Sequence, residues 1–195
     1  MRTGVPYITT WSSEQPLPIT VIQRPGSGIG YADEILSDRD ENGVLWQRIA
    51  SQPGRGRPQF GQVHSLRQRR VMRQLLCGIC AGPPDHTDQG VLWLLRDYRD
   101  DWTDWPSGMG ATEPPVCLPC ARHSIRACPA LRRGYVAVRV GHSAIAGVYG
   151  TRYQPGHPSP AAVANILVAL DNPTIRWTRA AQLVRELRDC TIVNW

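Results

Sequence analysis

The sequence contains no lysine: all 22 basic residues of the 195-residue chain are arginine, set against 16 Asp plus Glu for a formal charge of +6. Arginine without lysine matches the drift of a GC-rich genome toward Arg, Ala, Gly and Pro. It also supplies forked guanidinium groups that bind carboxylate or phosphate bidentately and stack on flat rings, which an ammonium does not do. A long apolar run is missing as well. No stretch of 18 apolar residues occurs, and Met1 to Ser13 shows no charged region followed by an apolar one, so neither a membrane span nor a secretory signal is expected and the default is a cytoplasmic protein. Global disorder is excluded by 42% hydrophobic residues, while 18 Gly and 17 Pro predict short elements and many turns. The length corresponds to one domain, or one with a small appended module.

Six cysteines are too few for a disulfide scaffold of this size, and their spacing carries the information. Cys77-Gly-Ile-Cys80 and Cys117-Leu-Pro-Cys120 are two C-x2-C pairs, each able to point two sulfurs and its own amides at one tetrahedral metal. Metal ligands Cys77, Cys80, Cys117 and Cys120 around a structural Zn2+ are therefore expected. The 36 residues between the pairs must carry structure of their own. Two redox dithiols are the alternative, but one such motif normally accompanies a βαβ pattern that is absent here. Cys128 and Cys190 read as small buried residues.

Ile19 to Ile22 and Ile29 to Ile35 read as strands around a turn at Arg24 to Gly28, whose glycines do not have G-x-G-x-x-G spacing. Asp38 to Gly43 matches the first half of a calcium loop. Its twelfth position is Ile49 rather than Glu, and an Asn-Gly turn before a strand at Val44 to Ile49 is the better description. A similar polar turn, Asp85 to Gly90, precedes a strand at Val91 to Leu95.

The most basic stretch holds Arg55, Arg57, Arg67, Arg69, Arg70 and Arg73, with a helix expected over Ser65 to Leu76 and Ser65 as its N-cap. Its charge suits phosphate contact, although such runs are commonly just solvated faces. After Cys120, Tyr135 to Val140 and Ala144 to Arg152 suggest a hairpin around Gly141-His142-Ser143. Ser159-Pro160 opens an expected helix to Leu170, and a second is expected to reach Asp189 with Trp177, Ala180, Ala181, Val184 and Leu187 on one face. The two resemble a helix-turn-helix only weakly and read better as an antiparallel pair.

The expected fold class is α+β: short antiparallel hairpins, a four-cysteine zinc site and a C-terminal helical pair. Three regions make it up: an N-terminal hairpin region and linker (1–58), the basic helix and zinc region (59–134), and a C-terminal hairpin with two helices (135–195).

Knuckle, hairpin, then a second cysteine pair opening a helix is an order of parts that resembles the treble-clef zinc group, over about residues 74–131. That group includes HNH-like metal-dependent nucleases, and the resemblance would give Asp85, His86 and His123 metal and general-base roles. The sequence departs from it: Asp85-His86 lies in turn-like sequence only five residues past Cys80, and His123 comes three residues after its cysteine. The loop Asp97 to Gly110, with Trp102 and Trp105, is a candidate protein-interaction surface. Three functions follow: an arginine-rich accessory or regulatory protein binding DNA or RNA, a protein-interaction module using Trp102 and Trp105, and a nuclease.

Overall fold

The computed structural model describes residues 4–101 and 103–193. In chain order the elements are β1 (Thr9–Trp11), β2 (Val21–Arg24), β3 (Gly28–Tyr31), β4 (Leu45–Trp46), β5 (Pro58–Val63) and α1 (Ser65–Gln74). There follow β6 (His86–Thr87), β7 (Gly90–Leu95), β8 (Gly110–Ala111), α2 (Leu118–Ala127), β9 (Val136–Gln154), β10 (Ala161–Ala169) and β11 (Thr178–Val193).

A long antiparallel ribbon of β9 and β11 organises the sheet, registered from Thr178 opposite Arg152 to Val193 opposite Ala137. On the free edge of β9 lie β7, along Val136 to Val140, and β10, along Gly147 to Gln154. The other edge of β11 takes β4 in parallel and β8 antiparallel, and β6 pairs β7 to complete seven strands. Two separate two-stranded sheets, β1 with β5 and the hairpin of β2 with β3, stand outside this sheet.

The expected α+β character holds as a strand-rich fold with two helices, but the C-terminal helical pair does not exist. Residues 161–169 and 178–193 are strands, and the proposed Gly141-Ser143 turn is the continuous interior of β9. Gly141 lies opposite Asp189, which has a positive φ of 53°, and a Cβ at position 141 would come within 3.0 Å of the Asp189 Cβ. The glycine thus admits a local irregularity in the partner strand without turning its own. Thr178, Ala180, Leu183, Val184, Arg185 and Leu187 are the buried positions of β11, and register shifts fall between Ala180 and Gln182 and between Val184 and Arg185. The first leaves Ala181 as an extra residue in β11 and the second leaves Ala146 as an extra residue in β9, and the bulge in β11 breaks the two-residue alternation between Ala180 and Leu183.

β7 is buried on both faces, which explains its unbroken apolar sequence Val91-Leu-Trp-Leu-Leu95. Val91, Trp93 and Leu95 join Trp105, Val138 and Leu187 in one core. Leu92 and Leu94 face Val116, Ala121, Cys77 and Cys120 in another. Burying a side chain of Leu or Trp size contributes on the order of 2 kcal/mol, so the cysteine layer rests on a well-stabilised strand.

The helix α1 packs Met72 against Trp46, Ala180 and Leu183. Its Gln68, fully buried, takes the place of a neighbouring strand beside β11. It accepts from the Leu183 N–H at 2.9 Å and donates to the Leu183 and Thr112 carbonyls at 2.9 and 2.8 Å. Arg185 reaches back from β11 to the C-terminal carbonyls of α1, with Nε donating to Met72 O at 2.8 Å, a placement that complements the helix dipole. Ser65 is the first helical residue; His64 occupies the cap position and makes no side-chain capping bond.

Candidate metal centre

The end of α1 sets up the first cysteine pair. Leu75 adopts a left-handed conformation (φ 52°), and the chain turns into a knuckle in which Cys77 N–H bonds to Gly82 O and Ala81 N–H to Cys77 O, both at 2.8 Å. Opposite it, Gly78 N–H bonds to Pro115 O at 3.0 Å, Asp85 N–H to Val116 O at 3.0 Å, and Val116 N–H to Leu92 O at 2.9 Å. This short ladder fixes residues 115–116 against both the knuckle and β7, so Cys117 arrives beside it as the N-cap of α2. Pro119, in the first helical turn, suits a position whose N–H has no intrahelical partner, and Cys120 follows within that turn.

All four Sγ atoms lie within 4.8 Å of one another, and Cys80 Sγ is 3.8 Å from Cys117 Sγ. Four thiolates at about 2.3 Å from a tetrahedral ion stand about 3.8 Å apart, so this donor set fits a zinc-sized metal. Burial pushes the Cys77 thiol up to about 11 and raises Cys120 as well. Cys80 is lowered: burial acts the other way, but hydrogen bonds from the Gly82 backbone and the neighbouring thiols overcome it. The buried thiols of Cys77 and Cys120 resist ionisation, whereas a dication at the centre of the four favours the thiolate form. Four cysteines close together could hold such an ion.

The remaining candidate residues are distributed otherwise. Among the described residues, the cysteines form the only group of three or more His, Cys, Asp or Glu positioned to share a metal. Asp85 makes an ion pair with Arg139, His86 is exposed on the β6 edge, and His123 is half-buried on α2, so these three do not assemble a second centre. Asp40 is engaged by the Val44 N–H, Trp46 Nε1 and Arg73, which leaves no calcium loop. Trp102 lies outside the described residues, and Trp105 is not a surface contact: it is 6% exposed and packs in the core with Trp93.

The predicted arginine run splits up. Arg67 is buried and ion-pairs with Glu14 at 2.6 Å, Arg73 pairs with Asp40 and Glu41, and Arg69 stacks over Trp46 at 4.6 Å. Arg55 and Arg57 are exposed in the turn before β5. Arg70 donates to Tyr7 Oη at 3.2 Å, and Tyr7 N–H in turn bonds to Ile79 O of the knuckle at 2.9 Å, so Arg70 stands beside the cysteine site.

On the other flank is a group the run did not include. Arg122 and Arg126 are exposed one turn apart on α2, and Arg132 follows with a guanidinium donating to Arg126 O at 3.0 Å. No carboxylate lies within 4.0 Å of these three among the described residues, unlike Arg67 and Arg73. Arg122 and Arg126 border a groove of about 470 Å3 completed by Leu118, Ile125 and Tyr135. The i, i+4 spacing of two arginines directly after Cys120 was the available signal.

Comparison with known proteins adds no relative: no family model, no curated protein and no solved structure matches the chain.

Proposed function

We propose that Cys77, Cys80, Cys117 and Cys120 hold one structural zinc ion in a treble-clef-like arrangement, and that the arginines flanking it bind nucleic acid. The carrying observation is the set Arg122, Arg126 and Arg132, exposed and without carboxylate partners, on and just after the helix that the second cysteine pair opens. Arg70 extends the same charge across the knuckle through Tyr7. Arg55 and Arg57 add exposed charge in a Gly-Pro turn.

In this reading the metal is architectural. Its binding contributes on the order of 10 kcal/mol to folding, tying the knuckle to the start of α2. The chain's residues do the recognition: each guanidinium that meets a phosphate releases condensed counterions, and its planar fork can hold two phosphate oxygens. Thiolate ligands persist in a reducing compartment, which agrees with a cytoplasmic location.

Metal analysis of purified protein should give about one zinc per chain, and replacing all four cysteines by serine should abolish cooperative folding. Fluorescence anisotropy with labelled DNA and RNA at low salt should detect binding. The double variant Arg122→Glu, Arg126→Glu should weaken it at least about tenfold and lower the slope of log K against log salt by about 2. Undetectable binding at low salt, or unchanged binding in that variant, would remove the nucleic-acid reading while leaving the metal site to its own test.

A further inference from the structure

One face of α2 carries apolar and cationic side chains in alternation. Leu118, Arg122, Ile125 and Arg126 recur at helical spacing, the leucine and isoleucine half-buried and the two arginines exposed. Tyr135 comes to the same place from another element. The short 3-10 turn Leu131–Arg133 ends at Gly134, whose φ of 134° suits glycine and directs the chain into β9. Tyr135, like Leu118 and Ile125, then packs against the core that holds Cys77 and Cys120. Together they form the groove of about 470 Å3, with an apolar floor of Leu118, Ile125 and Tyr135 and a guanidinium rim of Arg122 and Arg126.

We infer, resting on the nucleic-acid reading above, that this groove takes an unpaired nucleobase, which makes the ligand a single strand or a splayed-out loop. Floor and rim suit different parts of such a ligand. A tyrosine ring with aliphatic neighbours offers a flat base stacking and dispersion contact, and guanidinium groups meet its phosphates or stack on its plane. In a duplex the bases are stacked on one another and show only their edges, so the rim would meet phosphate while the floor stayed in water. An acidic peptide likewise answers the rim and leaves the floor. An amphipathic helix needs anchors over several turns, whereas this volume is that of a small-molecule pocket.

The charge around the groove sets its extent. Arg132 continues the rim through its bond to Arg126 O at 3.0 Å. Beyond it, a cleft of about 220 Å3 is lined by Asp97 together with Arg96, Ala130 and Gly134, and Asp100, Asp101 and Asp104 follow in the chain. Those carboxylates repel a phosphate backbone, so the site holds a single base and its flanking phosphates rather than a long track.

Fluorescence anisotropy on the wild-type chain with three labelled probes of equal length tests this: a single strand, the duplex of the same sequence, and a sugar-phosphate strand without bases. At about 0.15 M salt, where the phosphate contribution is weakened, the single strand should bind at least about fivefold tighter than either of the others. Running the probes in ribose and deoxyribose forms tells which strand supplies the base. Tyr135→Leu keeps an apolar side chain against the core and removes the ring. It should weaken single-strand binding about five- to a hundredfold with an unchanged salt slope and unchanged duplex binding, while Tyr135→Phe should bind like the wild type. The base-free probe needs no variant, so the answer stands even if Tyr135→Leu unfolds. Equal affinity for all three probes would overturn the inference and leave the arginines as a phosphate-binding surface. Undiminished single-strand binding by folded Tyr135→Leu would overturn it too, as would displacement by polyglutamate of equal charge as effective as that by the strand itself. Binding to none of the probes would remove the nucleic-acid reading and this inference with it.

Discussion

Replacing Arg67 by Met should destabilise the protein by about 3–5 kcal/mol at pH 7, the usual cost of leaving one partner of a buried ion pair uncompensated. Glu14 is 1% exposed, and its carboxylate accepts two bonds from Arg67 at 2.6 Å, one from Trp11 N–H at 2.8 Å and one from Gln52 N–H at 2.8 Å. Burial alone would raise this carboxyl; the Arg67 and backbone bonds more than offset it and bring it from 4.5 down to about 2. That difference corresponds to about 3 kcal/mol, since each unit is about 1.4 kcal/mol. The sign follows from linkage: a depressed acid contributes its stability above pH 4.5 and loses it as pH falls toward 2. In the variant burial is no longer offset by the guanidinium, so Glu14 takes up its proton more readily in the fold and the disadvantage shrinks on acidification. Urea unfolding of both proteins at pH 7 and at about pH 4 measures the gap, and metal loss common to both cancels in the difference. A gap below about 1 kcal/mol at pH 7, or one of the same size at both pH values, would refute the account.

Gln68→Leu keeps the volume but strands the Leu183 N–H and carbonyl inside the fold, and should cost about 3 kcal/mol in chemical denaturation; a cost under about 1 kcal/mol would show that β11 does not need the amide. Gly150→Val should prevent soluble expression or cost at least about 3 kcal/mol, because a Cβ there would overlap the Arg179 carbonyl of the paired strand. His64, fully buried with Nε2 3.0 Å from Ala50 O, is lowered by burial, so the unfolded chain takes its proton first and stability should fall as pH drops below 6.5; in His64→Gln that part of the decline should be missing.

The cysteine pairs were legible because C-x2-C spacing is a local constraint that survives any tertiary context. The same is true of the polar stretch Asp85 to Gly90 before β7, within which the turn falls at Asp88 and Gln89, and of α1, which needed only its own periodicity. β11 was not legible: Arg-Ala-Ala-Gln-Leu-Val-Arg-Glu-Leu-Arg is rich in helix formers, and the bulge at Ala181 broke the strand alternation of its buried positions. Pairing with β9 over most of its length outweighs those propensities. The arginines failed for a different reason. Arg67 and Arg70 are one turn apart on one helix, but the partner that buries the first, Glu14, lies 53 residues away, and no local pattern announces it.

β11 follows in the chain every strand it joins, and it separates β9 from β4 and β8. During synthesis, β4, β8 and β9 therefore emerge with no neighbour on the edges that β11 will occupy, and the sheet closes in one late, non-local step. Such a chain spends its time on the ribosome with unpaired strand edges, so its yield should depend on translation speed and on chaperones that shield those edges, more than on the strength of any single contact in the finished fold.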